Sequence, residues 1–263
     1  MQIVTLTTDW GTRDFFAGMV KGRLYSLIPD VQVVDITHDI ESYNRAQAAF
    51  VISNACMEFP EGTIHIIDVD SHESKEHPYM VVEYQKQYFI CADNGIAGVV
   101  FCDKPDVKVT RIAMYQDSNF FNFPAYNLFC FVAERIAAKA PWSEIGSEGL
   151  PLVPVKGLIP LTYPDMVKLY VMYVDSYGNA YLNMLYDDFL KLANNRKMFI
   201  TAGVVINREI VISDSYYPRS SSIDNDLILT VSATGYLELA KQRDPADEIM
   251  GTELGAEVII TFV

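Results

Sequence analysis

The chain has 263 residues, of which 50% are hydrophobic and 21% are charged, a composition that is typical of folded globular proteins and excludes a disordered chain. Its 34 acidic and 20 basic side chains give a formal net charge of −14, which repels phosphate backbones and anionic lipid headgroups. We therefore expect neither a nucleic-acid partner nor a membrane partner.

The first half of the chain alternates predicted strands with predicted helices. Strands are predicted at residues 2–8, 31–36, 63–69, 79–83, 88–91 and 107–112. Helices are predicted at residues 14–28, 45–59 and 127–139, with Asp14 as the cap of the first helix and Pro29 after its end. This order predicts an α/β domain with a mainly parallel sheet, over residues 1–160.

The second half has a different texture. Gly and Pro recur between residues 146 and 160, which is typical of a linker. Short β-rich runs follow at residues 167–174, 180–184, 198–201, 209–212, 227–231 and 258–263. Regular short strands separated by turn residues predict a smaller C-terminal antiparallel β-barrel over residues 161–263.

The cysteines and the N-terminus indicate the cellular compartment. Met1 leads directly into an alternating apolar run without the features of a signal peptide, and we therefore expect a cytoplasmic location. Cysteine pairs with the spacing of a zinc site or a redox motif do not occur. We expect no metal, and small buried side chains at all four cysteine positions: Cys56, Cys91, Cys102 and Cys130.

Carboxylates lie at the ends of the first three predicted strands, where parallel sheets bind ligands. Asp9 follows the first strand, Asp35 lies near the end of the second, and Asp68 and Asp70 lie at the end of the third. The chain lacks the glycine-rich motifs that cradle phosphates. Asp9 and Asp14 instead suit hydroxyls, an ammonium or a sulfonium, although any single strand-end aspartate can also serve as a helix cap.

Several motifs together resemble the S-adenosylmethionine hydroxide adenosyltransferase family, which is related to the fluorinase and the chlorinase. In the first half they are Thr8-Asp9-Trp10-Gly11-Thr12-Arg13-Asp14, Val34-Asp35-Ile36-Thr37-His38, Phe59-Pro60-Glu61-Gly62-Thr63 and Asp93-Asn94-Gly95. In the second half they are Val174-Asp175-Ser176-Tyr177-Gly178-Asn179 and Gly235-Tyr236-Leu237-Glu238-Leu239-Ala240. The matches keep their order along nearly the whole chain.

The resemblance implies a substrate, an assembly and a set of binding residues. The substrate is S-adenosylmethionine, with no further cofactor, in a homotrimer whose ligand lies between the first domain of one subunit and the second domain of a neighbour. The implied contacts are Asp9 with the ribose diol, Tyr43 over the sugar, Asp14 and Asp175 with the methionine ammonium, Tyr177 stacked on adenine and Asn179 at the adenine edge. Residues 175–179 are also rich in turn formers, so a simple β-turn is the alternative interpretation.

The catalytic positions depart from the family pattern. Family hydrolases use an Asp, an Arg and a His, and here these positions are Asp70, His77 and Pro124. A sulfonium is a good leaving group without an acid or a metal, so Asp70 with His77 could still activate water. We expect a hydrolase that forms adenosine and L-methionine, or alternatively an inactive protein that binds adenosine or S-adenosylmethionine. Ala125 at the family's hydroxyl-bearing position argues against halogenation.

Overall fold

A computed structural model describes residues 1–72, 74, 77–114, 122–149, 151–152, 159–216 and 227–263. The chain divides into two compact units, residues 1–155 and residues 156–263. The predicted domain boundary near residue 160 stays a prediction, because residues 153–158 of the predicted linker lie outside the described residues. None of the helices in these described ranges is long and apolar enough to cross a bilayer.

A mixed sheet forms the centre of the first unit, in the order β2-β1-β3-β5-β4-β6-β7. Its strands are β1 (Gln2–Thr8), β2 (Val31–Thr37), β3 (Ile64–Asp68), β4 (Tyr79–Tyr84), β5 (Gln87–Ala92), β6 (Lys108–Ile112) and β7 (Gly146–Glu148). The strands β2, β1, β3 and β5 are mutually parallel, and β4, β6 and β7 add antiparallel pairings. The predicted α/β class is confirmed, with the parallel strands at one side of the sheet.

Helices cover both faces of this sheet. They are α1 (Phe16–Leu27), α2 (Arg45–Ala55), α3 (Ile96–Phe101), α4 (Cys130–Ala137) and α5 (Trp142–Ile145), with a 3-10 turn at Cys56–Glu58 and a π-helical turn at Ala125–Phe129. The helices α1 and α4 pack on one face of the sheet, and α2 and α3 pack on the other. This arrangement leaves the carboxyl ends of the parallel strands along one edge, where loops can present polar side chains.

Two predictions for the first unit are wrong in detail. The helix α1 is not capped by Asp14, because its N-cap is Phe15 without a side-chain cap and Asp14 lies in an exposed bend before it. Cys102 is exposed, because the chain passes there from the end of α3 into a surface turn. Cys56, Cys91 and Cys130 are buried as predicted.

The second unit is a closed seven-stranded barrel with a short additional strand. Its strands are β8 (Leu161–Thr162), β9 (Met166–Val174), β10 (Ala180–Leu185), β11 (Met198–Ala202), β12 (Val205–Ile212), β13 (Leu227–Val231), β14 (Tyr236–Lys241) and β15 (Glu257–Phe262), joined by α6 (Tyr186–Ala193) and α7 (Ala246–Met250). Pairing of β9 with β10 closes the barrel. The predicted barrel is confirmed, although β12 and β13 are parallel, a pairing that needs a longer connection than a hairpin.

Candidate active site

Neighbouring parallel strands bring several aspartates to one edge of the first unit. The strands β1 and β3 pair in parallel with Thr8 opposite Asp68, so Asp9 and Asp68 lie at adjacent strand ends. Asp35 does not extend this group, because it lies within β2 and pairs with Lys21 at 2.5 Å. The candidate site of the first unit therefore consists of Asp9, Asp68, Asp70 and the side chains that contact them.

Asp9 and Tyr43 come together through the backbone. The Tyr43 amide donates a hydrogen bond to Asp9 Oδ2 at 2.9 Å. Tyr43 has a φ of 67°, a left-handed conformation that is uncommon for a tyrosine, and its side chain is 65% exposed. The backbone of Tyr43 is thus held beside the Asp9 carboxylate, and most of the surface of its side chain remains exposed.

Asp68 is a buried carboxyl group at the end of β3. Its pKa is raised to about 7, chiefly by burial and also by the neighbouring Asp9 charge, although hydrogen bonds from Ser71, Trp10 and the Ala125 backbone oppose the increase. Trp10 also stacks on His38, with ring centroids 5.8 Å apart. Asp68 therefore ties the end of β1 to the π-helical turn and changes its charge near neutral pH.

Asp70 is held from several directions. Arg45, the first residue of α2, donates from Nε and Nη2 to Asp70 Oδ2 at 2.6 and 2.5 Å. Arg45 Nη1 also donates to the carbonyl of Asn94 at 2.9 Å. The buried Asn94 amide donates in turn to the carbonyls of Val69 and Asp70. Asp70 has a φ of 49°, so these contacts hold a backbone conformation that a free aspartate rarely adopts.

His77 contacts the same backbone segment, after β5, that holds Asp70. Its Nδ1 contacts the carbonyl of Asp93 at 2.8 Å, and Asp93 directly precedes Asn94. A carbonyl can only accept, so Nδ1 carries the proton and donates to it. Asp70 and His77 are therefore anchored to consecutive residues after β5.

Asp14 and Pro124, the two other positions of the first unit that the resemblance assigns to the site, differ in burial. Asp14 is exposed, whereas Pro124 is buried before the π-helical turn. Beside Pro124, the Phe123 ring packs edge-on against Trp10 with centroids 5.0 Å apart and against Phe16 at 5.2 Å. The position of the family histidine is therefore a buried proline next to a cluster of aromatic rings.

A cavity of 640 Å³ opens in the second unit, at the turn between β9 and β10. Its walls are Asp175, Tyr177, Asn179, Tyr181, Tyr216, Lys241, Gln242, Arg243, Asp244 and Pro245. Tyr177 is 80% exposed, and Asn179 is largely buried. The three residues that the resemblance assigns to the ligand in this half therefore share one cavity.

The carboxylate of Asp175 organises that turn. Its Oδ1 accepts from the amides of Tyr177 and Asn179, both at 2.9 Å, and its Oδ2 accepts from Asn179 Nδ2 at 3.1 Å. The β-turn interpretation of this motif is thus realised in the structure. The same bonds fix the orientation of the Asn179 amide at the cavity wall.

A second acidic side chain lies against this turn. Glu238 is fully buried, and the Tyr216 hydroxyl lies 2.8 and 3.0 Å from its two carboxylate oxygens. Burial raises the pKa of Glu238 to about 7, the Tyr216 hydrogen bond lowers it, and the Asp175 charge raises it. Burial and these carboxylates also raise the pKa values of Tyr181 and Tyr216, so both phenols stay neutral.

Sequence reasoning did not identify Arg45, Asn94 or Glu238 as site residues. Arg45 and Asp70 are 25 positions apart, and their spacing follows no catalytic motif. Glu238 lies inside a motif that was used only for the resemblance. The one available signal for Arg45 and Glu238 was chemical: a basic side chain at the start of a helix and a glutamate in a buried strand both require polar partners.

Comparisons with known proteins agree with this architecture. Residues 4–146 match the model of the SAM (S-adenosylmethionine) hydroxide adenosyltransferase N-terminal domain, and residues 169–259 match that of its C-terminal domain. The (R)-S-adenosyl-L-methionine hydrolase of Methanocaldococcus jannaschii is 24% identical over 274 aligned residues, covering 100% of this chain and 97% of that protein.

Two further proteins are similar to the chain to different extents. An uncharacterized conserved protein from Thermotoga maritima has a similar crystal structure, with a TM-score of 0.85, 25% identity, and coverage of 99% of this chain and 100% of that one. The fluorinase of Actinopolyspora mzabensis is 37% identical over 62 residues, which cover 24% of this chain and 21% of that protein.

Proposed function

This chain belongs to the S-adenosylmethionine hydroxide adenosyltransferase family, and we propose that it hydrolyses S-adenosylmethionine to adenosine and L-methionine. The observation that best supports the proposal is the position of Asp70 at the end of β3. Both bonds from Arg45 go to Oδ2, and the described residues make no hydrogen bond or ion pair with Oδ1. In this proposal Oδ1 accepts the proton from water.

The reaction requires little from the protein beyond orientation and proton removal. The water oxygen attacks ribose C5′, and the C5′–S bond breaks with its electron pair going to sulfur. The positive sulfonium becomes the neutral thioether of methionine, and the attacking water becomes the 5′-hydroxyl of adenosine. Asp70 accepts the released proton, which then passes to solvent, with Nε2 of His77 as a proposed acceptor on the way.

Each binding residue is assigned to a different part of the substrate. Asp9 accepts from the ribose diol, and Tyr43 covers the sugar. Tyr177 stacks on adenine, and Asn179 bonds its edge through an amide that both donates and accepts. Of these side chains, those of Tyr43 and Tyr177 are exposed, that of Asp9 is half-buried, and that of Asn179 lines the cavity of the second unit.

The methionine ammonium is assigned to Asp14 and Asp175. Asp14 is exposed and contributes a whole carboxylate. Asp175 already accepts three hydrogen bonds within its turn, so its contribution to the ammonium is mainly electrostatic. In this proposal Asp14 makes the direct contact, while Asp175 orients Asn179 and adds negative charge.

The assembly and the location are part of the same proposal. The sequence resemblance implies a homotrimer with S-adenosylmethionine as substrate, and we propose in addition a cytoplasmic location and no metal. Light scattering of purified protein would measure the assembly directly, since one chain has a mass of 29.6 kDa. A mass of one chain would contradict the trimer.

Product analysis in labelled water tests the reaction. The wild type, incubated with S-adenosylmethionine in H₂¹⁸O, should form methionine and adenosine that carries ¹⁸O at the 5′-hydroxyl. Asp70→Asn should lower kcat by about 1000-fold, because it removes the proton acceptor. Asp103→Asn, an exposed aspartate of the same unit, is the matched control and should retain full activity.

The buried Pro124 favours one alternative function. It occupies the position of the family histidine and has no side-chain donor or acceptor, which suits a protein that binds the nucleoside without hydrolysing it. Intact S-adenosylmethionine after long incubation, together with calorimetric binding of adenosine, would support this alternative and contradict the hydrolase.

A further inference from the structure

The Arg45 guanidinium makes three directed contacts around one catalytic candidate. Two of its N–H groups converge on Asp70 Oδ2 at 2.6 and 2.5 Å, and a third reaches the Asn94 carbonyl at 2.9 Å. Since Asn94 also bonds the backbone carbonyl of Asp70, the guanidinium and the amide hold opposite ends of the same residue. Asp70 is thereby fixed at both its backbone and its side chain.

Stability alone does not explain this arrangement well. The side chains of Arg45 and Asp70 are 35% and 18% exposed, and ion pairs in contact with water contribute little to folding. Asp70 also adopts a left-handed φ of 49°, which costs free energy in a residue other than glycine. A strained carboxylate that is held rigidly at a strand end is typical of a functional group whose orientation matters.

The contacts also select one oxygen of the carboxylate. Arg45 bonds only Oδ2, so Oδ1 keeps its lone pairs on the side away from the guanidinium. A planar guanidinium that donates from two nitrogens fixes the plane of its partner better than a single ammonium does. The general base thus has one anchored oxygen and one reactive oxygen.

We propose that Arg45 is the positioning residue of the hydrolysis, and that it supplies from the start of α2 the arginine that the family pattern would place at His77. The inference rests on the proposed function, since it assigns a role within that reaction. Arg45 acts through Asp70: it directs Oδ1 toward the attacking water without contacting the substrate. The chain has thereby kept an arginine beside its catalytic aspartate while changing its place in the sequence.

Steady-state kinetics of Arg45→Gln and Arg45→Lys test this role. Arg45→Gln should lower kcat on the order of 100-fold with KM within about 3-fold, because misorientation of the base slows the chemical step and leaves the binding residues intact. Arg45→Lys should recover only part of kcat, because the ammonium lacks the guanidinium fork. Added guanidinium ion should raise kcat of Arg45→Gln several-fold. Arg135→Gln, which removes an exposed arginine on α4, is the control and should behave as wild type.

The possible outcomes separate this inference from the proposed function. An active wild type with an unchanged kcat in Arg45→Gln would overturn the role of Arg45 and leave the hydrolase in place. A loss of activity that follows a fall in Tm, without rescue by guanidinium, would assign Arg45 to folding alone. A wild type that releases no adenosine would overturn the proposed function, and the positioning role with it.

Discussion

The two candidate regions both contain aspartates, but they use the carboxylates in different ways. At the strand ends of the first unit, Asp70 is bonded through one oxygen to a separate cation, and Asp9 accepts from a single amide. At the barrel turn of the second unit, both oxygens of Asp175 accept from residues of its own turn. A carboxylate whose acceptor sites are already occupied supports structure, whereas one with vacant acceptor sites can bind or react.

The same difference appears in the buried acids. Asp68 in the first unit and Glu238 in the second both have pKa values raised to about 7 by burial. Asp68 links separate loops around the strand ends, whereas Glu238 accepts a hydrogen bond from the Tyr216 hydroxyl at the barrel wall. The comparison predicts that substitutions of Asp9 and Asp70 in the first region change rates and affinities, while those of Asp175 and Glu238 in the second region change mainly stability.

The largest expected effect of this comparison is at Asp9. Asp9→Asn should lower kcat/KM for S-adenosylmethionine about 100-fold, because the amide replaces a charged acceptor of two ribose hydroxyls. The Tm should change little. The Tyr43 amide, which donates to Asp9, belongs to an exposed residue, so water can replace this hydrogen bond.

A deoxynucleoside provides the control for Asp9. The wild type should bind 2′-deoxyadenosine more weakly than adenosine, and Asp9→Asn should no longer distinguish the two ligands in calorimetry. Equal discrimination by both proteins would mean that Asp9 does not contact the ribose.

A smaller effect is expected at Asp175, and mainly on folding. Asp175→Ala removes the acceptor of two backbone amides and of the Asn179 side chain, so the free energy of unfolding should fall by about 2 kcal/mol. Urea denaturation of the full chain measures this change. Asp187→Ala, at an exposed position of α6 in the same unit, should cost far less.

The opposite result at Asp175 would break the comparison. Unchanged unfolding with a large loss of affinity for S-adenosylmethionine would make Asp175 a direct ligand contact, in the same class as Asp9.

The smallest effect is the pH dependence that Glu238 contributes. The folded-state pKa is raised from 4.5 to about 7, so the folded protein retains a proton that the unfolded chain has lost. This contribution favours folding below about pH 4.5 and is lost as pH rises through about 7. The Tm of Glu238→Gln minus the Tm of the wild type should therefore be about 2 °C larger at pH 8 than at pH 5.

The matched control for this experiment is Glu61→Gln, which removes an exposed carboxylate of a surface ion pair. Its Tm difference from the wild type should be the same at both pH values. A Glu238→Gln difference that is equally independent of pH would show that Glu238 is ionised throughout the range.

Local sequence patterns predicted most elements of the fold. The strand over residues 2–8 was predicted to its bounds, because its central residues are apolar or β-branched and turn residues end it. The strand β14 was not predicted, since its residues were considered only as a motif, and α6 was not predicted inside a β-rich region. The prediction of Asp14 as the helix cap was wrong, because the helix starts two residues later, at Phe16. The preference of aspartate for cap positions does not specify where a helix starts.

The candidate site divides in the same way between local and tertiary information. The motif at residues 175–179 specifies its own turn, so the sequence sufficed to group Asp175, Tyr177 and Asn179. The resemblance supplied their roles, which stay predictions together with those of Asp9, Asp14, Tyr43, Asp70 and His77. The cavity wall at Tyr216 and Lys241 comes from parts of the chain distant from this motif, and no local pattern could place it there.

By itself, the sequence determined the family, the order of α/β unit and barrel, and the strand-end positions of the aspartates. These properties depend on short-range spacing, hydrophobic periodicity and ordered motifs. Only the tertiary structure decided which distant partners Asp70 and Glu238 meet. Arg45 reaches Asp70 because α2 packs beside the end of β3, and Tyr216 reaches Glu238 because β12 and β14 both pair with β13. Contacts of this kind follow from packing between residues far apart in the chain.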